Sequence, residues 1–343
     1  MSLSDTISVF AELGKKIQGG LDDGSLDGII DIASHHNPWH TRGNILFALG
    51  RVVRNLEQPR LEQWLAPYPT LDGLHKPKTV AVVMSGEVPL SGWSDFLSVI
   101  ASGNRILIKL SDGDDVLIPH LAKMLVRIAP EFEDYVTFAE GRMHRFDAII
   151  ATGDGNTNRY FERYFAHYQH IIRQPKNSVA VLDGNETPAQ LTALADDIFI
   201  YMGMGSRGVS KLFVPEGYDF GRLIKAAEKY RQLFDENHYK SNLDYHKALL
   251  MLNAVPFIDG DFWILKDDEP IASPVSVTNY GTYNKLSEVT DFLKNNANSI
   301  DCVVSGTELD NAIPFGKAHR TELWDYPQGI NTMDFLINLK NEL

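Results

Sequence analysis

The chain has 343 residues, 44% hydrophobic and 22% charged, which suffices to bury the core of two domains or of one elaborate one. Its 32 Lys and Arg stand against 45 Asp and Glu, a formal net charge of −13 with no basic patch, which argues against a nucleic-acid partner. A single cysteine, Cys302, excludes a disulfide framework and any multi-cysteine metal site.

In chain order, the first 60 residues read as helices. The opening MSLSDTISVFAELGKK is amphipathic, and no later run approaches the ~20 apolar residues of a membrane span, so a cytoplasmic protein is expected. The clearest early helix begins near Thr41, with Ile45, Leu46, Leu49, Val52, Val53 and Leu56 as its apolar stripe. From Thr79 the pattern changes to TVAVVMSG, RILIKLS, DYVTFAEG, FDAIIATG, HIIRQ and SVAVLDG, with helices expected at 94–101, 115–128 and 158–168. Continuous Val/Ile/Leu runs separated by helices predict a parallel sheet covered on both faces, a doubly wound α/β domain over roughly 75–180. A second βα region follows, with strands in SKLFV, FWILK, SPVSVTNY and IDCVVSG and helices near 220–234, 245–253 and 287–295. Cys302 falls inside the last strand, where a buried, inert thiol is expected.

One stretch matches a motif literally: GMGSRG at 203–208 fits the G-x-G-x-x-G of dinucleotide-binding turns. That fingerprint needs a strand before the glycines and a helix after them. Here Thr187-Pro188 reads as the start of a preceding helix and 209–214 as a following strand, so the order is reversed and the small residues around Ser206 need another reason. Ligands of parallel sheets bind at the carboxyl ends of strands. Three such ends are candidates: Met84 to Leu90, Ile108 to Asp112 with Lys109 and Ser111, and Ala151 to Thr157 with Thr152, Gly153 and Asp154 before a helix. Each also has an ordinary turn composition.

The order and spacing of these segments resemble the aldehyde dehydrogenase superfamily and, within it, the LuxC-type acyl-CoA reductases. The segments that carry the resemblance are VAVVMSGEVPLSGWSDFLSVIASGNRILIKLS, FDAIIATGDGNTNRYFERYF, PKNSVAVLDGNETPAQL, YMGMGSRGVSKLFVPEGYDF and ELWDYPQGINTMDFL. The resemblance implies a Rossmann-like dinucleotide-binding domain with its preceding helices at 1–183 and a catalytic α/β domain at 184–310. The segment 311–343 would pack back or contact a second copy. It implies NADPH, or NADH, as cofactor, and a fatty acyl-CoA thioester as substrate, reduced to the aldehyde. By the same mapping Lys109 and Ser111 contact the adenosine ribose or its phosphate, Thr152, Gly153 and Asp154 lie by the pyrophosphate, and GMGSRG presents the nucleophile.

The departures are at the chemistry. Ser206 stands where the family pattern has its cysteine, Glu87 where it has the asparagine of the oxyanion hole, and Asp154 where it has a serine. The glutamate base of the aldehyde-oxidising branch falls near Arg173. A serine needs a positioned base to act as a nucleophile, and its acyl oxyester is less electrophilic toward hydride than a thioester. Three readings follow. The chain is an acyl-CoA reductase with an altered nucleophile, a non-catalytic acyl-CoA or nucleotide-binding partner subunit, or a serine acyltransferase or hydrolase using Ser206. The last lacks the G-x-S-x-G elbow, since Met204 occupies the position of its first glycine.

Overall fold

The computed structural model describes residues 2–72, 76–153 and 155–339. The chain forms two compact units, one of Met1–Pro175 with Glu322–Leu343, the other of Lys176–Thr321.

The first unit opens with helices Leu3–Asp22, Asp27–His36, Arg42–Asn55 and Gln58–Leu65. Ser2 and Asp5 cap the first in a reciprocal box, and Thr41 caps the third through its hydroxyl. Phe10, Leu13 and Ile17 on the first helix and Ile45, Leu49 and Val52 on the third are buried where these helices pack together. Leu46 of the expected stripe is partly exposed, because it lies one position off the face that Ile45 and Leu49 define.

Five parallel strands follow: β1 (Thr79–Val83), β2 (Arg105–Lys109), β3 (Val136–Phe138), β4 (Ala148–Thr152) and β5 (Gln169–Arg173). Their order is β3-β2-β1-β4-β5, so chain progression reverses between β1 and β4. Val80 to Val82 and Ala148 to Ala151 have no exposed surface, as strands covered on both faces require. This is the dinucleotide-type doubly wound sheet expected, and its switch point lies between β1 and β4.

The second unit carries β6 (Asn177–Val181), β7 (Val209–Pro215), β8 (Ile258–Asp259), β9 (Ile264–Asp267), β10 (Val277–Tyr283) and β11 (Ile300–Ser305), ordered β11-β6-β7-β10-β9-β8. All pairings are parallel except β8 with β9. The SVAVLDG strand is therefore an inner strand of the second sheet, and the boundary lies at 175/176 instead of the expected 183/184. A run buried on both faces looks the same whichever parallel sheet it joins; β6 obtains its neighbours from β7 and β11, with Val179 and Val181 facing one cluster and Ala180 and Leu182 another. The helix expected at 220–234 is α-helical only over Phe220–Ala227 and tightens into a 3-10 segment, Glu228–Asp235.

Residues 311–321 stay with the second unit, where Ile313 bridges Val304. From Glu322 the chain returns to the first. Glu322 takes ion pairs from Arg54 and Arg60, and Trp64 Nε1 donates to Tyr326 Oη at 2.9 Å. Arg173, at the end of β5, is buried and donates to both oxygens of Asp95 at 2.6 and 2.8 Å, with Thr332 Oγ1 at 3.1 Å. Breaking a buried ion pair from one side leaves an uncompensated charge. Asp95→Ala should cost about 3–5 kcal/mol in urea unfolding, and Asp95→Leu with Arg173→Met markedly less than Asp95→Ala.

Candidate active site

The candidate residues of the first unit gather on one edge. Val83 of β1 pairs with Lys109 of β2 and Ala151 of β4, so the ends carrying Lys109 and Ser111, Glu87, and Thr152 and Gly153 lie side by side at the switch point. Lys109 is half-buried, with no ionic partner among the described residues. The β1 and β2 turns touch: a Cβ on Gly86 would lie 2.5 Å from Ser111 Oγ. Helix Gly155–Tyr164 follows Gly153 closely; Asp154 lies outside the described residues. Glu87 is exposed, and its carboxylate makes no hydrogen bond among the described residues.

Two buried groups hold the turn that carries Glu87. His40 Nε2 donates to the Gly86 carbonyl at 3.1 Å; burial pushes this imidazole below the ordinary histidine value, against the hydrogen bonds of Gly86 and Glu87. Asp114 Oδ2 accepts from Leu90 N at 2.7 Å, and Leu90 sits in the left-handed region at φ 60°. Burial pushes the Asp114 carboxyl up to about 7, against hydrogen bonds from Leu90 and Ser91.

The GMGSRG loop is placed as its context predicts, between a helix (Pro188–Phe199, capped by Thr187 and Gln190) and β7. It is not a dinucleotide turn. Tyr201, Met202, Gly203 and Gly205 all have φ between 58° and 85°, and two of them are buried side chains held in a conformation that favours glycine. A Cβ on Gly208 would come within 2.8 Å of the Gly203 carbonyl oxygen, so the loop closes only with glycine there. Asp197, at the end of the preceding helix, accepts from Gly316 N at 2.5 Å and Ala318 N at 2.9 Å, and the His319 ring packs edge-on against Tyr201.

Ser206 is half-exposed, and its Oγ donates to Asp301 Oδ2 at 2.6 Å. The Asp301 side chain is 3% exposed; Arg207 Nε lies 3.5 Å from the same oxygen, and Oδ1 is buried without a hydrogen-bond partner. Ser178 Oγ donates to the Ser206 carbonyl at 2.8 Å and accepts from Cys302 N at 3.2 Å, with Cys302 Sγ at 3.1 Å. Burial pushes the Cys302 thiol up to about 11, outweighing Arg207 and Ser178, so at neutral pH it is a thiol and no substitute nucleophile. Ser178, Ser206 and Asp301 lie at the amino ends of β6, β7 and β11, the edge opposite to the one where parallel sheets usually bind ligands.

Solved structures share this architecture. An aldehyde dehydrogenase of Bacillus cereus in complex with NAD+ is similar over 90% of this chain and 73% of that one, with a TM-score of 0.66 and 13% identity. The chain has the aldehyde dehydrogenase fold. An NADP-dependent glyceraldehyde-3-phosphate dehydrogenase of Bacillus halodurans shares that fold over 90% of this chain and 79% of its own, with a TM-score of 0.62 and 12% identity. An acetylating aldehyde dehydrogenase of Geobacillus thermoglucosidasius does so over 90% and 77%, with a TM-score of 0.60 and 8% identity. In sequence, the chain is 28% identical over 158 residues to a long-chain acyl-protein thioester reductase of Aliivibrio fischeri; the match takes in 41% of this chain and spans a third of that protein's length. No family model matches. These relatives with the aldehyde dehydrogenase fold, and the reductase, are oxidoreductases.

Sequence reasoning missed His40, Asp114, Ser178, Asp197 and Asp301. IDCVVSG drew attention for its cysteine, whereas Asp301 beside it is the residue that touches Ser206. No spacing links positions 95 residues apart.

Asp114 carries a pH dependence whose sign is fixed by its raised value. Its folded carboxyl titrates at about 7 against 3.8 in the ordinary state, so the native state holds the proton longer. Stability from this group is present below the unfolded value and is lost as pH rises to about 7. Asp114→Asn keeps an acceptor for Leu90 without the charge. Its stability relative to the parent should improve by about 2–3 kcal/mol between pH 5 and pH 8 in urea unfolding.

Proposed function

We propose that this chain binds NADPH, or NADH, at the carboxyl edge of its first sheet and a fatty acyl thioester, carried on coenzyme A or on a protein, at the Ser206 loop. On this reading it is a cytoplasmic acyl-thioester reductase whose reductive step is slowed by serine at the nucleophile position. The observation that carries it is the strand order β3-β2-β1-β4-β5 with Lys109, Ser111, Thr152 and Gly153 side by side at its reversal.

The residues fit a dinucleotide. Lys109 offers an ammonium that no carboxylate among the described residues engages, Gly86 keeps the β1 turn against Ser111, and a helix begins just after Gly153, where backbone N–H groups favour phosphate. When bound, the nicotinamide supplies the hydride. The chain's own residues take the acyl group on Ser206 and hold the 85–91 turn through His40 and Asp114. An oxyester at Ser206 accepts hydride less readily than a thioester, which places the impairment after acylation. Glu87 adds to it on the resemblance drawn from the sequence, which puts this carboxylate at the position of an amide donor, where it would repel a developing oxyanion. Glu87, exposed and without a hydrogen bond among the described residues, favours a second reading, a nucleotide- or acyl-binding partner subunit without turnover.

The test is NADPH oxidation with short- and long-chain acyl-CoA by the parent, Ser206→Cys, Glu87→Asn and the double variant. The parent should be slow and Ser206→Cys at least about tenfold faster. Glu87→Asn should then help more in the cysteine background, where an oxyanion donor is worth up to about 10²–10³-fold. Turnover by the parent equal to Ser206→Cys overturns the impairment; absence of NADPH binding in calorimetry overturns the cofactor reading.

A further inference from the structure

The buried carboxylates of this chain differ in how they are satisfied. Asp95 receives two guanidinium N–H groups and Asp197 two backbone N–H groups, one on each carboxylate oxygen. Asp301 uses one oxygen for Ser206 Oγ at 2.6 Å and Arg207 at 3.5 Å and leaves the other buried without a partner. An under-solvated carboxylate is a strong hydrogen-bond acceptor, because water does not compete for its lone pairs. Its one close hydrogen-bond donor among the described residues is the hydroxyl of the partly buried serine in the loop, and Arg207 supplies the opposite charge that its burial needs.

We propose that Ser206 and Asp301 form a nucleophile–acceptor pair that takes an acyl group from a thioester without any nicotinamide. Ser206 Oγ bonds to the carbonyl carbon as its proton passes to Asp301 Oδ2. The carbon–sulfur bond then breaks, the proton goes to the departing thiolate, and the products are an acyl oxyester on Ser206 and a free thiol. Water attacking the oxyester by the same route releases the carboxylic acid and restores the serine. No electrons are exchanged with a cofactor, and the balance is that of thioester hydrolysis. The neighbouring thiol does not compete, because burial keeps Cys302 protonated up to about 11. The geometry also removes the objection that a serine here lacks a positioned acceptor. The inference deepens the reading above, since it names the acylation step of the same loop.

The experiment incubates the intact chain with acetyl-CoA and, separately, a long-chain acyl-CoA in the absence of nicotinamide, following the adduct by intact mass and locating it by peptide mapping. The expected result is one acyl group on Ser206 and release of free thiol, both abolished in Ser206→Ala and slowed about 10²-fold or more in Asp301→Asn. Asp301→Glu keeps the charge facing Arg207 but displaces the acceptor oxygen, and should lose about tenfold. A melting curve of each variant separates loss of chemistry from loss of fold. An adduct on Cys302, no adduct on the folded parent, or parent-like rates in Asp301→Asn or Asp301→Glu would overturn the proposal. Acylation without NADPH binding would sink the reductase reading alone; NADPH binding without acylation would sink this one together with acylation at Ser206 in the reading above, and leave the cofactor site standing.

Discussion

A carboxylate withdrawn from water must find donors close by, and in this chain four of them, Asp95, Asp114, Asp197 and Asp301, set the shape of the segments that matter. Asp95 draws in the end of β5 through Arg173, and Arg173 in turn reaches Thr332 of the returning segment. Asp114 pins the left-handed Leu90 of the turn after β1. Asp197 ties 316–318 to the helix that leads into the Ser206 loop, and Asp301 takes the hydroxyl of Ser206 itself. The cost of burying charge is met with loop geometry. The same requirement explains what Arg173 does near the position where the resemblance puts the glutamate base of the aldehyde-oxidising branch: it serves architecture.

Much of the fold was legible because its signals are periodic. Stretches such as VAVV at 80–83 and AIIA at 148–151 are apolar at every position, as strands covered on both sides must be, and each of the first five runs became a strand of the first sheet. Thr187-Pro188 marked the start of the helix before GMGSRG and 209–214 the strand after it, which was enough to set aside the dinucleotide reading of that motif. What escaped was membership: β6 carries the same pattern as its predecessors and joins the other sheet. Sheet membership is decided by which partners close the two faces, and burial periodicity does not encode partners.

The candidate site was legible on one side only. Lys109, Ser111, Thr152 and Gly153 could be placed because strand ends are marked by the change from apolar to small and polar residues. Asp301 could not, because a buried acidic residue inside a strand has no local signature and its meaning depends on Ser206 lying against it. The left-handed Tyr201 and Met202 were equally hidden, since neither residue type announces that conformation. That strain, together with the obligatory Gly208, shows how narrowly the backbone around Ser206 is determined.

The return of the chain at Glu322 bears on how the molecule is made. The second unit is one continuous stretch, Lys176–Thr321, whereas the first is completed only by residues that follow it. The second unit needs no residue beyond 321, whereas Arg54, Arg60 and Trp64 of the first find their partners in Glu322 and Tyr326, and the Arg173 pair in Thr332. The half of the protein that is translated first is thus the half that finishes last. A chain truncated after residue 321 would keep every strand of the second sheet while its first unit lacked part of its buried polar clamp.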